Sequence, residues 1–316
     1  MTEANLKPIA LPSDYDYVAC YLTDFCFLKC AYCITDHNGT AFTSGKENKY
    51  YALGVEKWLE AFSRIQFPDG VVPTLQGGEP FLYRKIWELI EESPVPLDIL
   101  TALPPVVKRD KFKALSNLKS LNRGAPYPNV RVSYHIGQNN IEDLAPRVAE
   151  LQDLVSIGIF LVDHPGHPEE SARARKICDE HGVLFKTKEY LGYWEGKLYG
   201  NYKFDDACVG HVTRPLVYCR NSVLIIAPSG DVYRCHSDLY HKRNDLLVGN
   251  ITDPNFQVNH SHEPCAVYGL CSECDVKVKN NHLQNFGYTS VDIIFPEEKN
   301  NVPLGKQKTT RLPVVS

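Results

Sequence analysis

Residues 17–33 read YVACYLTDFCFLKCAYC. The first seven are apolar, aromatic and β-branched residues, which predicts a β-strand. Three cysteines, Cys26, Cys30 and Cys33, follow directly. Their thiolates therefore lie in one short loop at the carboxyl end of the strand. In a cubane iron–sulfur cluster each protein thiolate binds one iron, so three cysteines leave a fourth iron open to a small molecule.

The chain continues this strand–loop pattern as far as about Gly192. Short β-rich runs alternate with stretches of helical periodicity, which is typical of βα units around a parallel sheet. The predicted strands span residues 17–23, 72–76, 97–103, 129–137, 155–163 and 183–190. The predicted helices span residues 55–65, 82–92, 108–118, 141–151 and 169–181. The fold class predicted is α/β, a partial (β/α)6 TIM-like barrel with its active face at the carboxyl ends of the strands.

A second, smaller unit is predicted behind the barrel. A β-hairpin is expected from residues 223–227 and 232–234, around the turn sequence Pro-Ser-Gly-Asp at 228–231. This unit is cysteine-rich and has little apolar core for its length, which favours a bound metal. We expect the barrel over residues 14–204, a small Cys-rich α+β unit over residues 205–288, and a polar tail over residues 289–316.

Composition narrows the class of protein. The chain has 316 residues, a net charge of -4 at pH 7 and 11 cysteines. The small net charge gives no reason to expect nucleic acid as a partner, and the absence of a long apolar run gives none to expect a membrane. The start of the chain lacks a signal-peptide pattern, so a cytoplasmic protein is expected, and there an odd number of cysteines indicates metal ligation rather than disulfides.

A glycine-rich segment, Gln76-Gly77-Gly78-Glu79-Pro80, ends the second predicted strand. Glycines let backbone groups approach a ligand closely, and Glu79 can compensate a positive charge. Taken alone, the segment is equally typical of an ordinary turn before a helix. The cysteine loop likewise suits a structural zinc site, for which His37 is the nearby candidate for a fourth ligand.

The two segments together resemble the radical S-adenosylmethionine (SAM) superfamily. The three cysteines have its spacing of three and two intervening residues, Tyr32 is the aromatic residue before the last cysteine, and the Gly-Gly-Glu-Pro segment stands after the second strand. The resemblance implies that SAM binds the open iron of a 4Fe-4S cluster and that Gly77, Gly78, Glu79 and Pro80 bind its methionyl ammonium group. Reductive cleavage of SAM then gives a 5′-deoxyadenosyl radical, which abstracts a substrate hydrogen.

Further contacts to SAM or substrate are predicted on the strand at 129–137. Side chains alternate along a strand, so Arg131, Ser133 and His135 share a face that can line the barrel interior. Ser133 or His135 is expected at the ribose or the substrate, although a polar side chain merely hydrogen-bonded in the strand explains the pattern equally well. Thr101 and Asp163, at other strand ends, are weaker candidates.

Four further cysteines, Cys219, Cys235, Cys271 and Cys274, resemble the twitch domain, a shortened relative of the SPASM domain. The resemblance implies that they bind an auxiliary 4Fe-4S cluster, whereas a zinc ribbon uses a similar spacing. Cys265 departs from the four-ligand pattern and is expected to replace a ligand, stay structural or lie free. Cys208 and Cys265 are candidate hydrogen-atom donors to a substrate radical, and Cys20 and Cys178 are expected in the core.

The reaction expected is oxidation of a small-molecule substrate. Only about 25 residues precede the cluster loop, too few for a peptide-binding domain, and a fully ligated auxiliary cluster suits one-electron transfer. A dehydrogenase is therefore favoured, with epimerisation by a cysteine hydrogen donor and peptide maturation as alternatives. A flavodoxin or ferredoxin is the reductant that the resemblance implies. The non-enzymatic alternatives are an iron–sulfur electron carrier and a zinc-binding protein.

Overall fold

The computed structural model describes residues 6–33, 52–280 and 287–296. Its strands are β1 (Ile9–Ala10), β2 (Tyr17–Thr23), β3 (Ile65–Gln66), β4 (Pro73–Gly77), β5 (Asp98–Thr101), β6 (Val130–Tyr134), β7 (Ile157–Asp163), β8 (Phe185–Glu189), β9 (Gly192–Trp194), β10 (Lys197–Tyr199), β11 (Val217–Asn221), β12 (Val223–Ile226), β13 (Asp231–Tyr233), β14 (Leu247–Asn250), β15 (Glu263–Cys265) and β16 (Val291–Ile294). Its helices are α1 (Val55–Arg64), α2 (Ile86–Glu92), α3 (Arg109–Lys113), α4 (Ile141–Ala149), α5 (Pro168–Glu180), α6 (His236–Tyr240) and α7 (Glu273–Val276).

A large sheet organises the molecule. Strands β2, β4, β5, β6, β7 and β8 lie side by side in this order and pair in parallel. Along β2, Val18, Cys20 and Leu22 alternate onto the face that packs in the main core, which also contains Trp58 and Phe62 of α1. The predicted partial α/β barrel is confirmed, with the helix-covered core on one face of its sheet and the barrel interior on the other.

The predicted strands and helices agree with the structure at their centres and differ at their ends. Strand β2 has the predicted bounds, whereas the helix predicted at 108–118 ends at Lys113. The physical reason lies in the side chain of Glu91, which accepts hydrogen bonds from the backbone N–H groups of Ser116 and Asn117 at 2.9 and 3.2 Å. Those groups are therefore engaged outside the helix, and a 3-10 turn at Leu118–Leu121 follows instead.

The predicted hairpin joins the barrel sheet instead of standing apart from it. Strand β12 pairs in parallel with β2, and β13 and β14 extend the same sheet by antiparallel pairing. The buried ion pair between Lys279 Nζ and the Asp16 carboxylate, at 2.6 and 2.8 Å, fastens the later part of the chain to the start of β2. The boundary at 204/205 stays a prediction, and the sheet runs across it.

A small antiparallel sheet, in the order β15-β11-β16, carries two of the later cysteines. Val217 of β11 lies opposite Cys265 of β15, so Cys219, two residues further along β11, lies on the same face as Cys265. None of the described helices is both long and apolar enough to cross a membrane. His37 and most of the predicted C-terminal tail lie outside the described residues.

Candidate active site at the carboxyl ends of the barrel strands

The cysteine loop begins where β2 ends. The side chains of Cys26, Cys30 and Cys33 are each partly buried, and the Cys33 N–H donates to the Cys30 carbonyl at 3.1 Å, closing the turn between these two cysteines. Burial, first of all, and the neighbouring thiolates of Cys33 and Cys26 raise the pKa of Cys30 to about 12. Three thiols thus crowd one loop, where a cationic iron centre would relieve the repulsion between their deprotonated forms.

Soft sulfur donors on one loop fit an iron–sulfur cluster. Within the residues that the structure describes, no three His, Cys, Asp or Glu side chains converge on a single metal ion. A cubane does not require such convergence, because each thiolate binds a different iron.

The glycine segment packs against the base of the cysteine loop. The N–H groups of Gly78 and Glu79 donate to the carbonyls of Thr23 and Phe25, both at 2.8 Å. A Cβ atom on Gly78 would lie 2.2 Å from the Phe25 carbonyl oxygen, and Gly77, at φ +136°, has similarly little room beside Thr23. Because neither glycine has a side chain, the end of β4 can approach the backbone of Thr23 and Phe25 closely. This contact fixes the position of the cysteine loop relative to β4.

Glu79 faces β5 and is almost fully buried, with 1% of its surface exposed. Its carboxylate accepts hydrogen bonds from Phe81 N–H at 3.0 Å, Thr101 Oγ1 at 2.7 Å and Ala102 N–H at 2.7 Å. Burial raises its pKa to about 7, although these three donors act in the opposite direction. The side chain thus fixes the turn to β5, and its expected contact with the SAM ammonium group stays a prediction.

Replacing Thr101 with valine should destabilise the fold more at pH 8.5 than at pH 6. Because the pKa of Glu79 is higher in the folded protein than in the unfolded chain, this group favours folding below pH 4.5, and that contribution is lost as the pH rises to about 7. Above that pH the ionised carboxylate depends on its donors, and losing one should cost about 1–3 kcal/mol. Denaturant unfolding at the two pH values measures the difference.

The exposed Thr187→Val variant of β8 is the control and should change neither value by more than about 0.5 kcal/mol. Thr101 Oγ1 also accepts a hydrogen bond from Leu103 N–H. The variant loses this bond as well, and the resulting decrease in the free energy of unfolding is the same at both pH values. If Thr101→Val lowered the free energy of unfolding equally at pH 6 and pH 8.5, the hydrogen bond of Thr101 would not depend on the ionisation of Glu79.

Tyr32 connects the cysteine loop to the barrel interior. Its hydroxyl lies 3.4 Å from His135 Nδ1, and its ring centroid lies 5.4 Å from that of His164, which follows β7. Val130, Val132 and Tyr134 pack in the main core, so Ser133 and His135 lie on the opposite face, as predicted. Burial, with a smaller contribution from Lys188, lowers the pKa of His135 to about 4, which keeps this ring neutral at physiological pH.

The weaker candidates have structural partners. Thr101 binds Glu79, and the Asp163 carboxylate accepts from Ser171 Oγ at 2.6 Å. His164 is buried against Tyr190 and Trp194, with ring centroids at 4.8 and 4.5 Å. Sequence reasoning missed Tyr190 and Trp194, because they come from the chain after β8 and only the tertiary fold brings them to His164.

The radical SAM superfamily model matches residues 20–175, which contain the cysteine loop, the glycine segment and β2 to β7. These residues form a radical SAM domain. A solved structure, that of hexahistidine-tagged anSMEcpe with bound AdoMet, has a TM-score of 0.46 and 13% identity, over 78% of this chain and 75% of that chain. No curated protein matches the sequence.

A second group of cysteines lies in the part of the chain that follows the radical SAM domain. Four cysteines, Cys219, Cys235, Cys265 and Cys271, line one cavity in this part of the protein. Cys235 precedes α6, Cys271 precedes α7, and the other two lie on the shared face of β11 and β15. A thiol–thiol hydrogen bond with Cys219 lowers the pKa of Cys265. Four soft donors around one cavity fit a second cluster, and Cys274 is not among its lining residues.

The remaining cysteines divide into two groups. Cys20 and Cys178 are fully buried in the main core, in keeping with the structural role expected of them. Cys208 is buried in the apolar cluster that also contains Cys219 and Cys265, and burial raises its pKa to about 12. Its expected role as a hydrogen donor, and that of Cys265, stay predictions.

Proposed function

We propose that this protein oxidises a small molecule in the barrel interior and passes the substrate electron to an auxiliary 4Fe-4S cluster. The observation that carries the proposal is the cavity lined by four cysteines. Helix α6 begins directly after Cys235 and ends at Tyr240, whose hydroxyl lies 3.0 Å from the hydroxyl of Tyr21 on β2. Because β2 leads to the SAM-cluster loop, a short run of packed residues connects the two cysteine sites.

Cys219, Cys235, Cys265 and Cys271 would hold the auxiliary cluster, and this set replaces Cys274 of the sequence prediction with Cys265. Such a cluster, when bound and fully ligated, serves as a one-electron acceptor. Arg234 lines the same cavity, and its Nε donates to the Asp238 carboxylate at 3.1 Å. With a cluster bound there, the guanidinium of Arg234 would lie beside it and would favour its acceptance of an electron.

The residues of the radical SAM domain serve the first step of the reaction, the abstraction of a hydrogen atom from the substrate. SAM and the cluster at Cys26, Cys30 and Cys33 supply the hydrogen-abstracting radical when bound. Gly77 and Gly78 hold the cysteine loop against the end of β4, and Tyr32, with His135 and His164, covers the barrel interior beside it. With substrate bound, these aromatic rings would limit the access of water to the space where a radical must survive. A flavodoxin or ferredoxin is the reductant we propose.

Epimerisation is the second candidate function, and the position of Cys274 favours it. Cys274 lies on α7, where the adjacent Asp275 carboxylate accepts hydrogen bonds from the backbone N–H groups of His236 and Ser237 on α6. Because Tyr240 of the same α6 contacts Tyr21 of β2, α7 lies one helix away from the barrel interior. A thiol there that is not a cluster ligand can return a hydrogen atom to a substrate radical.

Electron paramagnetic resonance and iron analysis of the anaerobically reconstituted protein test the proposal. Wild type should hold about eight iron atoms per chain and give two reduced-cluster signals, of which SAM perturbs one. Replacing Cys265 with alanine should remove about four iron atoms and the signal that SAM leaves unchanged. The matched variant Cys274→Ala should retain both.

The opposite result, with auxiliary iron lost from Cys274→Ala and kept in Cys265→Ala, would restore the ligand set predicted from sequence. About four iron atoms and one signal in wild type would overturn the auxiliary cluster. Once a substrate is known, solvent deuterium in the product would favour epimerisation over oxidation.

A further inference from the structure

Basic side chains occupy the interior face of the barrel on β6 and β8. Phe185 of β8 packs in the main core, so Lys186 and Lys188 alternate onto the opposite, interior face. The register of β7 and β8 places Lys188 beside Val162. Its ammonium group lies 5.4 Å from the ring centroid of Phe160, another residue outside the main core cluster. Lys188 therefore points into the barrel and not towards the helices.

Lys188 has no acidic partner in the part of the chain that the structure describes. Neither a hydrogen bond nor an ion pair joins its ammonium group to the residues of the three described ranges. Three groups influence the pKa of Lys188 electrostatically: the cations Arg131 of β6 and Lys277 after α7, and the thiol of Cys274. Burial, first of all, and then these two cations lower the pKa of Lys188 to about 7.

Arg131 provides a second cation with unused donors. It is 2% exposed, and its Nε and Nη2 have no hydrogen-bond partner among the described residues. Its nearest carboxylate, that of Asp98, lies 3.6 Å from Nη2. Asp98 already accepts from Arg123 at 3.0 and 3.2 Å and from Asn129 at 3.0 Å. The Asp98 carboxylate is thus largely committed to other donors.

Lys188 lies at the same end of the barrel as the cysteine loop. It lies beside Val162, one residue beyond the pair of Tyr134 and Leu161, and is therefore level with His135. His135 Nδ1 in turn lies 3.4 Å from the hydroxyl of Tyr32 in the cysteine loop. Arg131 has Asp98 as an ion-pair partner, whereas the partly buried Lys188 has no acidic partner among the described residues, so a bound anion would offset the cost of removing its charge from water.

We propose that the barrel interior recognises its substrate through an anionic group, a carboxylate or a phosphate, bound to Lys188. Arg131 of β6 and Lys277 after α7 add electrostatic attraction at longer range. This inference rests on the proposed function in one respect, namely that the substrate reacts inside the barrel. It adds a chemical class: the substrate is an anionic small molecule.

The probe for this site is inorganic phosphate, titrated into the anaerobically reconstituted full chain by isothermal calorimetry. Wild type should bind phosphate, and Lys188→Met should raise the dissociation constant by roughly tenfold or more, because a charge-assisted hydrogen bond is lost. Lys188→Arg keeps the charge and should stay within about threefold of wild type. The control, Lys176→Met on the exposed side of α5, removes the same charge elsewhere and should leave phosphate binding unchanged.

The carboxylate of SAM is the other source of an anion at this site, and a second titration separates the two. Phosphate that binds equally well in the presence of saturating SAM supports a substrate site. Competition between phosphate and SAM would overturn the proposal and assign Lys188 to SAM, and equal losses in Lys188→Arg and Lys188→Met would overturn a role for charge. Formation of 5′-deoxyadenosine by wild type without phosphate tests the radical SAM step separately.

Discussion

Simultaneous replacement of Cys26, Cys30 and Cys33 with alanine is expected to abolish the formation of 5′-deoxyadenosine from SAM and dithionite. The three partly buried thiols share the loop after β2, and their removal leaves SAM without an iron to bind. A loss of roughly a thousandfold or more is expected, because the remaining pocket binds SAM without cleaving it. Anaerobic assay with chromatographic detection of 5′-deoxyadenosine measures the effect.

The Cys178→Ala variant is the matched control for this experiment. Cys178 is also a free thiol, but it is buried in the main core on α5, away from the cysteine loop. Its removal should lower stability modestly and leave cleavage of SAM unchanged. Comparable cleavage in the triple variant and in wild type would show that the cluster is held elsewhere.

Replacement of Gly78 with alanine should remove most of the iron from the cysteine loop and lower SAM cleavage by roughly a hundredfold. The added Cβ would lie 2.2 Å from the Phe25 carbonyl oxygen and 2.5 Å from its carbonyl carbon. Both atoms belong to the backbone, so no side-chain rotation relieves the overlap, and the cysteine loop must move away from β4. Iron content per chain and 5′-deoxyadenosine formation are the measurements.

Gly124→Ala serves as the control, because a Cβ atom at Gly124 meets no atom within 4 Å and needs no left-handed backbone. Iron retained in the cavity of Cys219, Cys235, Cys265 and Cys271 would show that the Gly78 variant still folds. If Gly78→Ala kept full iron and full activity, the close contact between the two loops would not matter to the site.

Local sequence patterns predicted those features that depend on neighbours in the chain. The bounds of β2 follow from seven consecutive strand-forming residues, and the alternation along β6 correctly separated Ser133 and His135 from the core residues Val130 and Val132. The helix expected at 108–118 was too long, because the groups that end it lie on a different element, at Glu91. The hydrogen-bond partners of Glu79 were not predictable for the same reason, since Thr101 and Ala102 lie at the end of β5 and directly after it.

The sequence alone identified the radical SAM domain, through three cysteines with their spacing and the glycine segment that follows. Only the tertiary structure decided which distant residues share a space. It placed β12 beside β2, brought Cys265 and not Cys274 to the cavity, and directed Lys188 towards the interior of the barrel. The physical reason is that strand pairing over long sequence separations follows from the packing of the whole core, which no local periodicity encodes.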